Sequence, residues 1–383
     1  MKKSFIILLI LIGIILIVIN TANKFTIKPV VNEDNLNFIN LPEGFKIETF
    51  YDNLGNSKFS LPGPNNGVRM MLFNKDTVFA SVMKGGYITA LEDKNKDSKV
   101  ENAKIFISNL NNPHNIEYYN EYYYIAEQDK IIRVKDENKD NIADLETKEK
   151  IVDLPASGGH FTRTLKIIND KLFISIGSSC NVCNEEDERR ASIQVCELNG
   201  ENCRTYASGL RNSVDFVYYN DKIYAAENSR DNLGNDIPPD EINIIEENNN
   251  YGWPICYGKN IHDTQFDTRA YIRNPCLDTY ESFIGLQAHS APLGLAFYQG
   301  NKFPEQYQGK LFVAYHGSWN RDTPTGYKVV MIDVNTKEVK DFTTGWLDEN
   351  YNVRGRPVGI INFRDSLLIS DDNTGKIYRI YYG

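Results

Sequence analysis

A short strand pattern, a polar residue followed by alternating bulky residues, recurs along this chain. Six copies stand out: TVFASV at 77–82, YYYIAE at 122–127, KLFISI at 171–176, KIYAAE at 222–227, KLFVAY at 310–315 and SLLISD at 366–371. Their starts are 45, 49, 51, 88 and 56 residues apart. Because most of these steps match the length of one four-stranded blade, the pattern predicts an all-β, six-bladed β-propeller over residues 25–383.

The propeller fold also explains why the repeated strands are largely apolar. Each small sheet is buried by its two neighbours around the ring, which leaves only short edges exposed. No sustained helical periodicity follows residue 24. A β-sandwich with a second domain is the alternative, but it leaves the even repeat unexplained. We expect residues 45–50 to close the ring by pairing with residues 376–381.

The long fourth step predicts an insertion around residues 228–309. It contains NYGWP at 250–254, Cys256, Cys276 and HSAPLG at 289–294. A loop of this length inside a compact fold is usually functional or disordered. Its aromatic residues and paired cysteines favour an ordered segment that caps one face of the ring.

The N-terminal segment has the order of charges and apolar residues that is typical of an export signal. Lys2 and Lys3 precede an apolar run over residues 5–19. Residues 1–24 therefore predict a signal peptide or membrane anchor and an extracytoplasmic protein. Asn20, Thr21 and Ala22 form a poor cleavage site, while the run is short for a full membrane span. Cleavage and anchoring both remain open.

Six cysteines lie between Cys180 and Cys276. Export makes disulfides the expected state, because they persist outside the cytoplasm. Six cysteines allow fifteen pairings, and sequence proximity predicts three local bonds: Cys180 with Cys183, Cys196 with Cys203, and Cys256 with Cys276. The Cys180 and Cys183 pair remains open to a redox or zinc-binding interpretation.

The charge balance excludes one class of partner. The chain has 51 acidic and 42 basic residues, a formal net charge of −9. A nucleic-acid-binding protein needs clustered Lys and Arg to neutralise phosphates, so we expect no nucleic-acid partner. The content of 23 Tyr and 19 Phe residues suits strands.

Two acidic loops place oxygen-bearing side chains at positions 1, 3, 5 and 9. These side chains are Asp93, Asn95, Asp97 and Glu101 in one loop, and Asp136, Asn138, Asp140 and Asp144 in the other. Alternate positions of a tight loop can direct oxygens at one calcium ion. Both loops lack glycine at position 6, where Ser98 and Asn141 stand, and neither has a glutamate at position 12. Structural calcium loops and solvated hairpin tips both remain possible interpretations.

Candidate chemistry begins with His160, which follows two glycines and precedes a repeated strand. A neutral imidazole is a competent general base near pH 7. A single loop histidine is more often structural, so the prediction depends on other loops that converge on the central channel. These contribute Arg211, Asn212, His316, Arg354 and Arg356, whose cations would surround a polyanionic ligand.

Several motifs in order resemble the soluble pyrroloquinoline quinone (PQQ)-dependent glucose and aldose dehydrogenases, and more closely their sorbosone dehydrogenase-like branch. The resemblance spans roughly residues 40–383. It rests on GHFTR at 159–163, GLRN at 209–212, PPDEIN at 238–243, NYGWP at 250–254, HSAPLG at 289–294, YHGSWNR at 315–321 and RPVG at 356–359.

The resemblance implies PQQ and Ca²⁺ as cofactors, a sugar or aldehyde substrate and an unknown electron acceptor. His160 would take the hydroxyl proton while hydride passes to the quinone. The polar and charged groups that would hold the quinone are Arg211, Asn212, Arg354 and Arg356. The backbone carbonyls of Ser229 and Arg230 would hold the cofactor calcium.

This chain departs from the family pattern at two positions. Ser229 and Arg230 replace the family's Gly-Pro at the calcium-binding turn, and His316 replaces a lysine expected near the cofactor. Two other functions remain open. One is a non-catalytic ligand-binding propeller, and the other is a calcium-dependent lactonase, a chemistry that six-bladed propellers also carry.

Overall fold

The computed structural model describes residues 36–52, 54–55 and 67–383, and this part of the chain is built almost entirely from strands. The predicted signal or anchor at residues 1–24, with its apolar run at 5–19, lies outside the described residues. Among the described residues, no helix has the length and apolar character needed to cross a membrane.

Blades 1 to 3 follow one another along the chain after strand β1 (Phe45–Tyr51). Blade 1 contains β2 (Val68–Asn74), β3 (Thr77–Val82), β4 (Tyr87–Glu92) and β5 (Asn102–Ile107). Blade 2 contains β6 (Asn115–Tyr119), β7 (Tyr122–Ala126), β8 (Lys130–Lys135) and β9 (Asp144–Asp153). Blade 3 contains β10 (Arg163–Ile168), β11 (Lys171–Ile176), β12 (Ser192–Glu197) and β13 (Arg204–Ser208).

Blades 4 to 6 complete the ring. Blade 4 contains β14 (Ser213–Tyr219), β15 (Lys222–Glu227), β16 (Asp240–Ile245) and, after the small hairpin β17 (Cys256–Tyr257) and β18 (Ile261–His262), β19 (Ile284–Leu286). Blade 5 contains β20 (Pro292–Phe297), a 3₁₀ turn (Glu305–Tyr307), β21 (Leu311–Tyr315), β22 (Lys328–Asp333) and β23 (Glu338–Thr343). Blade 6 contains β24 (Pro357–Phe363), β25 (Ser366–Asp371), β26 (Lys376–Tyr382) and β1.

The six-bladed β-propeller predicted from the repeat is confirmed. Each repeated segment forms the second strand of its blade, which is buried because neighbouring sheets cover both of its faces. The predicted ring closure is also present: β1 pairs antiparallel with β26, and Phe45 lies opposite Tyr382. Joining the two ends of the described chain in one sheet removes the exposed edges that an open ring would leave.

The extra segment is shorter than the predicted insertion around residues 228–309. That interval includes β16, β19 and β20, which belong to blades 4 and 5. The segment that departs from the blade pattern is residues 246–283, between β16 and β19. Only its short hairpin is regular structure, and the disulfide between Cys256 and Cys276 ties it together.

Apolar clusters lie between neighbouring blades all around the ring. Between blades 1 and 2, for example, Phe79 contacts Tyr123 with ring centroids 4.9 Å apart, and both contact Phe106. Such aromatic pairs add about 0.5–1.5 kcal/mol each beyond their burial of area. Near the axis, glycine permits closer contact: a Cβ on Gly294 would lie 2.4 Å from the Val358 carbonyl oxygen. The inner strands can therefore meet around a small apolar cluster, formed by Met70, Val214, Leu293 and Val358.

All three predicted disulfides are present: Cys180 with Cys183, Cys196 with Cys203, and Cys256 with Cys276. The two thiols of the Cys180 and Cys183 pair are consequently not available as zinc ligands. Both residues lie in the loop after β11.

Candidate active site

A cavity of about 530 Å³ opens at one end of the central channel. Its wall comes from the loops that enter the innermost strands and from those that leave the second strands. These two kinds of loop meet at the same end of the ring because the two strands run antiparallel. The lining includes three of the predicted polar residues, Arg211, Asn212 and Arg356, together with His160 and His316.

His160 precedes β10, and its hydrogen bonds define its tautomer. Nδ1 lies 3.0 Å from the Ser178 carbonyl oxygen and 2.8 Å from Ser178 Oγ. A carbonyl can only accept, so Nδ1 carries the hydrogen and Nε2 of the neutral ring keeps its lone pair. Nε2 has no hydrogen-bond partner among the described residues. A free basic nitrogen therefore belongs to a side chain in the cavity wall.

The charge state of His160 follows from its surroundings. Burial lowers the pKa of His160 to about 3, and the positive charges of Arg211, Arg163 and Arg190 act in the same direction. Burial and neighbouring cations both disfavour imidazolium. His160 is consequently neutral over the physiological pH range, and the lone pair on its Nε2 stays unprotonated.

Gly177 at the end of β11 permits a close approach in this wall. A Cβ at this position would lie 2.7 Å from the His160 Cβ and 2.5 Å from Asn212 Oδ1. Any larger residue would therefore push His160 or Asn212 away. The Asn212 side chain makes no hydrogen bond with the described residues, which leaves its amide for a ligand.

Arg211 lines the cavity but is largely committed to the protein. Its Nε and Nη2 donate to the carbonyl and side-chain oxygens of Asn181, at 2.8 and 2.9 Å. Nη1 donates to the Asn228 carbonyl at 2.9 Å, and Nη2 also bonds to Asp231 at 3.0 Å. Four of its five N–H bonds are thus used to join three loops, and one Nη1 hydrogen remains.

His316 follows β21 and takes the opposite tautomer from His160. Its Nε2 donates to Asp372 Oδ1 at 2.9 Å, while Nδ1 accepts from Arg356 Nη1 at 3.3 Å. Asp372 is fully buried and also bonds to Arg69 at 2.5 Å. Despite its burial, His316 and Arg69 hold the pKa of Asp372 well below its usual range. Both ring nitrogens of His316 are therefore occupied.

Arg356 is a cation in the cavity wall without a carboxylate partner among the described side chains. Its guanidinium donates only to neutral groups, namely His316 Nδ1, the Gly317 carbonyl at 3.4 Å and the Tyr327 hydroxyl at 3.1 Å. It also lies over the Tyr327 ring, 4.9 Å from the centroid. An uncompensated guanidinium in a partly buried wall favours an anionic ligand.

Arg354 is not brought to the cavity, although the sequence places it two residues from Arg356. Its side chain is 44% exposed and pairs with Asp348 at 3.3 Å. It also lies over the Phe38 ring, 5.3 Å from the centroid. The Arg354 backbone N–H donates to the Trp346 carbonyl at 2.7 Å, so this residue is held in the loop that carries Asp348 and its side chain stays with that loop.

The turn that would hold a cofactor calcium borders the same cavity. Ser229 lines it, together with Asp231 and Asp240. Asp240 accepts the backbone N–H groups of Ser229 and Ala291 at 3.0 and 2.9 Å, and burial raises its pKa to about 7. Neither the Ser229 nor the Arg230 carbonyl accepts a hydrogen bond from the described residues. The Arg230 side chain turns away and pairs with Asp263 at 2.6 Å.

Sequence reasoning missed several lining residues. Asp240, His289 and Asn320 stood inside motifs that carried the family resemblance, yet no role was assigned to them. Arg69 and its buried partner Asp372 had no local signal, because Asp372 joins Arg69 of blade 1 to His316 of blade 5 only when blades 1, 5 and 6 come together. A search for buried charges could not have found them, since burial is not visible in the sequence.

The remaining histidines and the acidic loops lie elsewhere. His114 is fully buried and lies 3.1 Å from the Arg163 carbonyl, and His262 pairs with Asp267 in the extra segment. The acidic loops join the third and fourth strands of blades 1 and 2. That connection lies at the end of the ring opposite the cavity, so neither loop supplies a ligand to it.

The fold and this site define a six-bladed propeller in which a histidine with a free Nε2 and a guanidinium without a carboxylate partner among the described side chains line one cavity. Residues 66–383 match the TrAA12-like family model. The chain therefore belongs to the TrAA12-like family. It is 34% identical over 372 residues to an uncharacterised protein of Borreliella burgdorferi, which covers 91% of this chain and 92% of that protein.

Other matches have functional descriptions. A pyrroloquinoline quinone-dependent pyranose dehydrogenase of Coprinopsis cinerea is 28% identical over 291 residues, covering 58% of this chain and 39% of that protein. The holo form of the PQQ domain of pyranose dehydrogenase from the same organism superposes with a TM-score of 0.76 at 20% identity, covering 93% of this chain and all of that one. The resemblance to PQQ-dependent sugar dehydrogenases is confirmed at this level, and the sorbosone dehydrogenase-like branch stays a prediction.

Proposed function

We propose that this protein is a PQQ-dependent dehydrogenase that oxidises an aldose or a related sugar aldehyde outside the cytoplasm. One observation carries the proposal. The free Nε2 of a neutral His160 and the uncompensated guanidinium of Arg356 belong to walls of the same cavity. A proton acceptor and an anion-binding group in the walls of one cavity are what oxidation with a carboxylate-bearing quinone requires.

The residues present fit the quinone. A volume of about 530 Å³ lies within the usual range of ~300–1,000 Å³ for cofactor pockets. Arg356 would pair with a carboxylate, and the free amide of Asn212 would bond to a polar edge. The remaining Nη1 hydrogen of Arg211 points to a secondary contact, because its other donors hold the loops together.

The oxygen atoms at the Ser229 turn suit calcium. Calcium prefers six to eight oxygen ligands, including backbone carbonyls. The unused carbonyls of Ser229 and Arg230, with the nearby carboxylate of Asp231, form a hard donor set of that kind. This support is independent of side-chain identity at positions 229 and 230, since the ligands are main-chain atoms.

When bound, the quinone would supply the two-electron acceptor for the hydride that leaves the sugar carbon. The chain's own contribution is acid–base chemistry and orientation. His160 Nε2 accepts the proton of the hydroxyl on that carbon, and Ser178 holds the ring through Nδ1. The proton carried by Nε2 then leaves to solvent through the open mouth of the cavity.

Two exposed aromatic side chains at the cavity suit a sugar ring. Phe161 is 39% exposed and Trp319 is 71% exposed, and both line the cavity from different blades. Aromatic faces combine apolar area with a specific geometry, and pyranose rings offer flat C–H faces to them. These two residues are our candidates for substrate selection.

The three disulfides support an extracytoplasmic location, because such bonds are rare in reducing compartments. Together with the charged and apolar order of residues 1–24, they make export part of the proposal. The electron acceptor would then be a component met outside the cytoplasm.

The test uses protein purified after expression of the full chain. This protein is titrated with PQQ and calcium. Dye reduction is followed on a panel of aldoses, with His160→Ala as the control. We expect saturable, calcium-dependent reduction that the control loses while it still binds PQQ. No PQQ binding by the wild type would leave a non-catalytic ligand-binding propeller, and lactone hydrolysis with calcium alone would indicate a lactonase.

A further inference from the structure

The two acidic loops have the same backbone conformation. Position 4 has a positive φ in both, at Lys96 (66°) and Lys139 (59°), and so does position 6, at Ser98 (69°) and Asn141 (64°). The position 6 N–H donates to the Oδ2 of the first aspartate at 3.0 Å in each loop. The glycine missing from the sequence is therefore not needed for the turn.

The first aspartates differ in what their second oxygen does. Asp93 is 1% exposed, and its Oδ1 has no hydrogen-bond partner. Nearly all buried polar atoms in proteins have a partner, so a buried carboxylate oxygen without one requires an explanation. In the second loop, Asp136 Oδ1 accepts the Asp140 backbone N–H at 3.1 Å. That oxygen is already satisfied.

The carboxylates also converge in only one of the loops. Oxygen atoms of Asp93, Asp97 and Glu101 all lie within 4.8 Å of one another. Across the described residues, Asp136, Asp140 and Asp144 do not form such a cluster. The orphaned Asp93 Oδ1 thus belongs to a set of three carboxylates that repel one another without a cation between them.

Arg364 does not supply that cation for the whole cluster. It comes from the turn between β24 and β25 and bonds to Asp93 through Oδ2 and the backbone carbonyl. The Ser98 N–H shares Oδ2. These two donors fix the carboxylate so that only Oδ1 is left, which matches the single oxygen that the first residue of a calcium loop contributes.

We propose that the Asp93 loop binds one calcium ion and that the Asp136 loop binds none. Its ligands are the carboxylates of Asp93, Asp97 and Glu101 and the side-chain oxygen of Asn95. The Lys99 carbonyl at position 7 accepts no hydrogen bond among the described residues and adds a main-chain oxygen, and water completes the six to eight ligands that calcium takes.

The affinity is modest. Position 12 is Lys104, whose Nζ bonds to Glu92 and to the Asp140 carbonyl of the second loop. The bidentate glutamate of tight sites is absent, and Arg364 offsets part of the negative charge. A dissociation constant of about 10⁻⁴–10⁻³ M, as in extracellular modules, is expected. Calcium concentrations outside cells are high enough to fill such a site.

Two matched variants test the proposal. Asp97 and Asp140 occupy position 5 of their loops, are both exposed, and each accepts a backbone N–H at 2.9 Å, from Lys99 and Ile142. Asp97→Ala and Asp140→Ala therefore cost the same local hydrogen bond. The full-chain protein, stripped with EDTA and free of quinone, is titrated with CaCl₂ in a calorimeter at 0.15 M KCl.

Wild type and Asp140→Ala should bind the same number of calcium ions, and Asp97→Ala should bind one fewer. Any ion at the Ser229 turn is present in all three proteins, so it does not change the differences in the number of bound ions. Equal binding by wild type and Asp97→Ala, including none in either, overturns the proposal. Loss of one equivalent in Asp140→Ala overturns the distinction between the loops. Thermal melting should agree: calcium should raise the Tm of wild type by more than that of Asp97→Ala.

Discussion

His160 on blade 3 and His316 on blade 5 face one cavity with opposite tautomers. His160 donates through Nδ1 to Ser178 and keeps Nε2 free. His316 donates through Nε2 to Asp372 and accepts Arg356 at Nδ1. The first ring can accept a proton from a substrate. The second can orient a guanidinium but has no free lone pair for chemistry.

Residue type alone therefore does not decide a histidine's role. Both side chains are partly buried in the same cavity wall, and both follow or precede a blade strand. The difference lies in the neighbours: a carbonyl and a hydroxyl for His160, a buried carboxylate and an arginine for His316. Each neighbour comes from a distant part of the chain or from another blade.

The largest expected effect separates the two histidines directly. His160→Gln should lower kcat by about 10²–10⁴-fold, because glutamine cannot accept the proton. The same substitution at His316 should mainly weaken quinone binding, since it disturbs Arg356. Steady-state kinetics and quinone titration of both variants check this. Equal loss of kcat in the two would mean that the tautomers do not assign the roles.

The next effect concerns the two arginines. Arg356→Met should weaken quinone binding by about 10–100-fold, because a charged hydrogen bond contributes about 1.5–3 kcal/mol. Arg354→Met should leave quinone affinity unchanged, since that side chain pairs with Asp348 away from the cavity. Fluorescence titration with PQQ measures both. A larger loss in Arg354→Met would restore the original sequence prediction for that residue.

A smaller effect should come from Gly177→Ala on the His160 wall. The added methyl would meet His160 and Asn212 closer than 3 Å, and overpacking of this kind costs about 1–3 kcal/mol. We expect a lower Tm and a reduced kcat, with quinone affinity changed less because Arg356 is on the other wall. Unchanged kcat in a folded variant would argue against the positioning of His160.

The smallest expected effect concerns the protonation of the His160 ring, which should not occur in the pH range of an ordinary histidine. The pKa of His160 is lowered to about 3, so its ring should stay neutral on acidification until well below pH 5, whereas an ordinary histidine gains a proton near pH 6.5. Imidazole ¹⁵N NMR of the quinone-free protein would show this. It should also show hydrogen on Nδ1 of His160 and on Nε2 of His316, and reversed tautomers would contradict the comparison.

Much of the site could be predicted from motifs, and the failures of that prediction have physical reasons. His160, Arg211, Asn212, His316 and Arg356 all line the cavity. Arg354 does not, because its backbone bonds to Trp346 and its side chain pairs with Asp348, which are contacts that its distance from Arg356 in the sequence does not reveal. The four used donors of Arg211 were equally invisible, since Asn181, Asn228 and Asp231 come from other loops.

The number of blades, the closure of the ring and the disulfide pairs follow from the amino-acid sequence alone. These depend on local periodicity and short spacing, which a linear pattern records. Three other properties come from the folded arrangement: which histidine keeps a free nitrogen, which arginine lacks a carboxylate partner and which acidic loop leaves an oxygen unpaired. Those properties depend on contacts between blades, where residues such as Arg364 and Asp93, 271 positions apart, come to share a hydrogen bond.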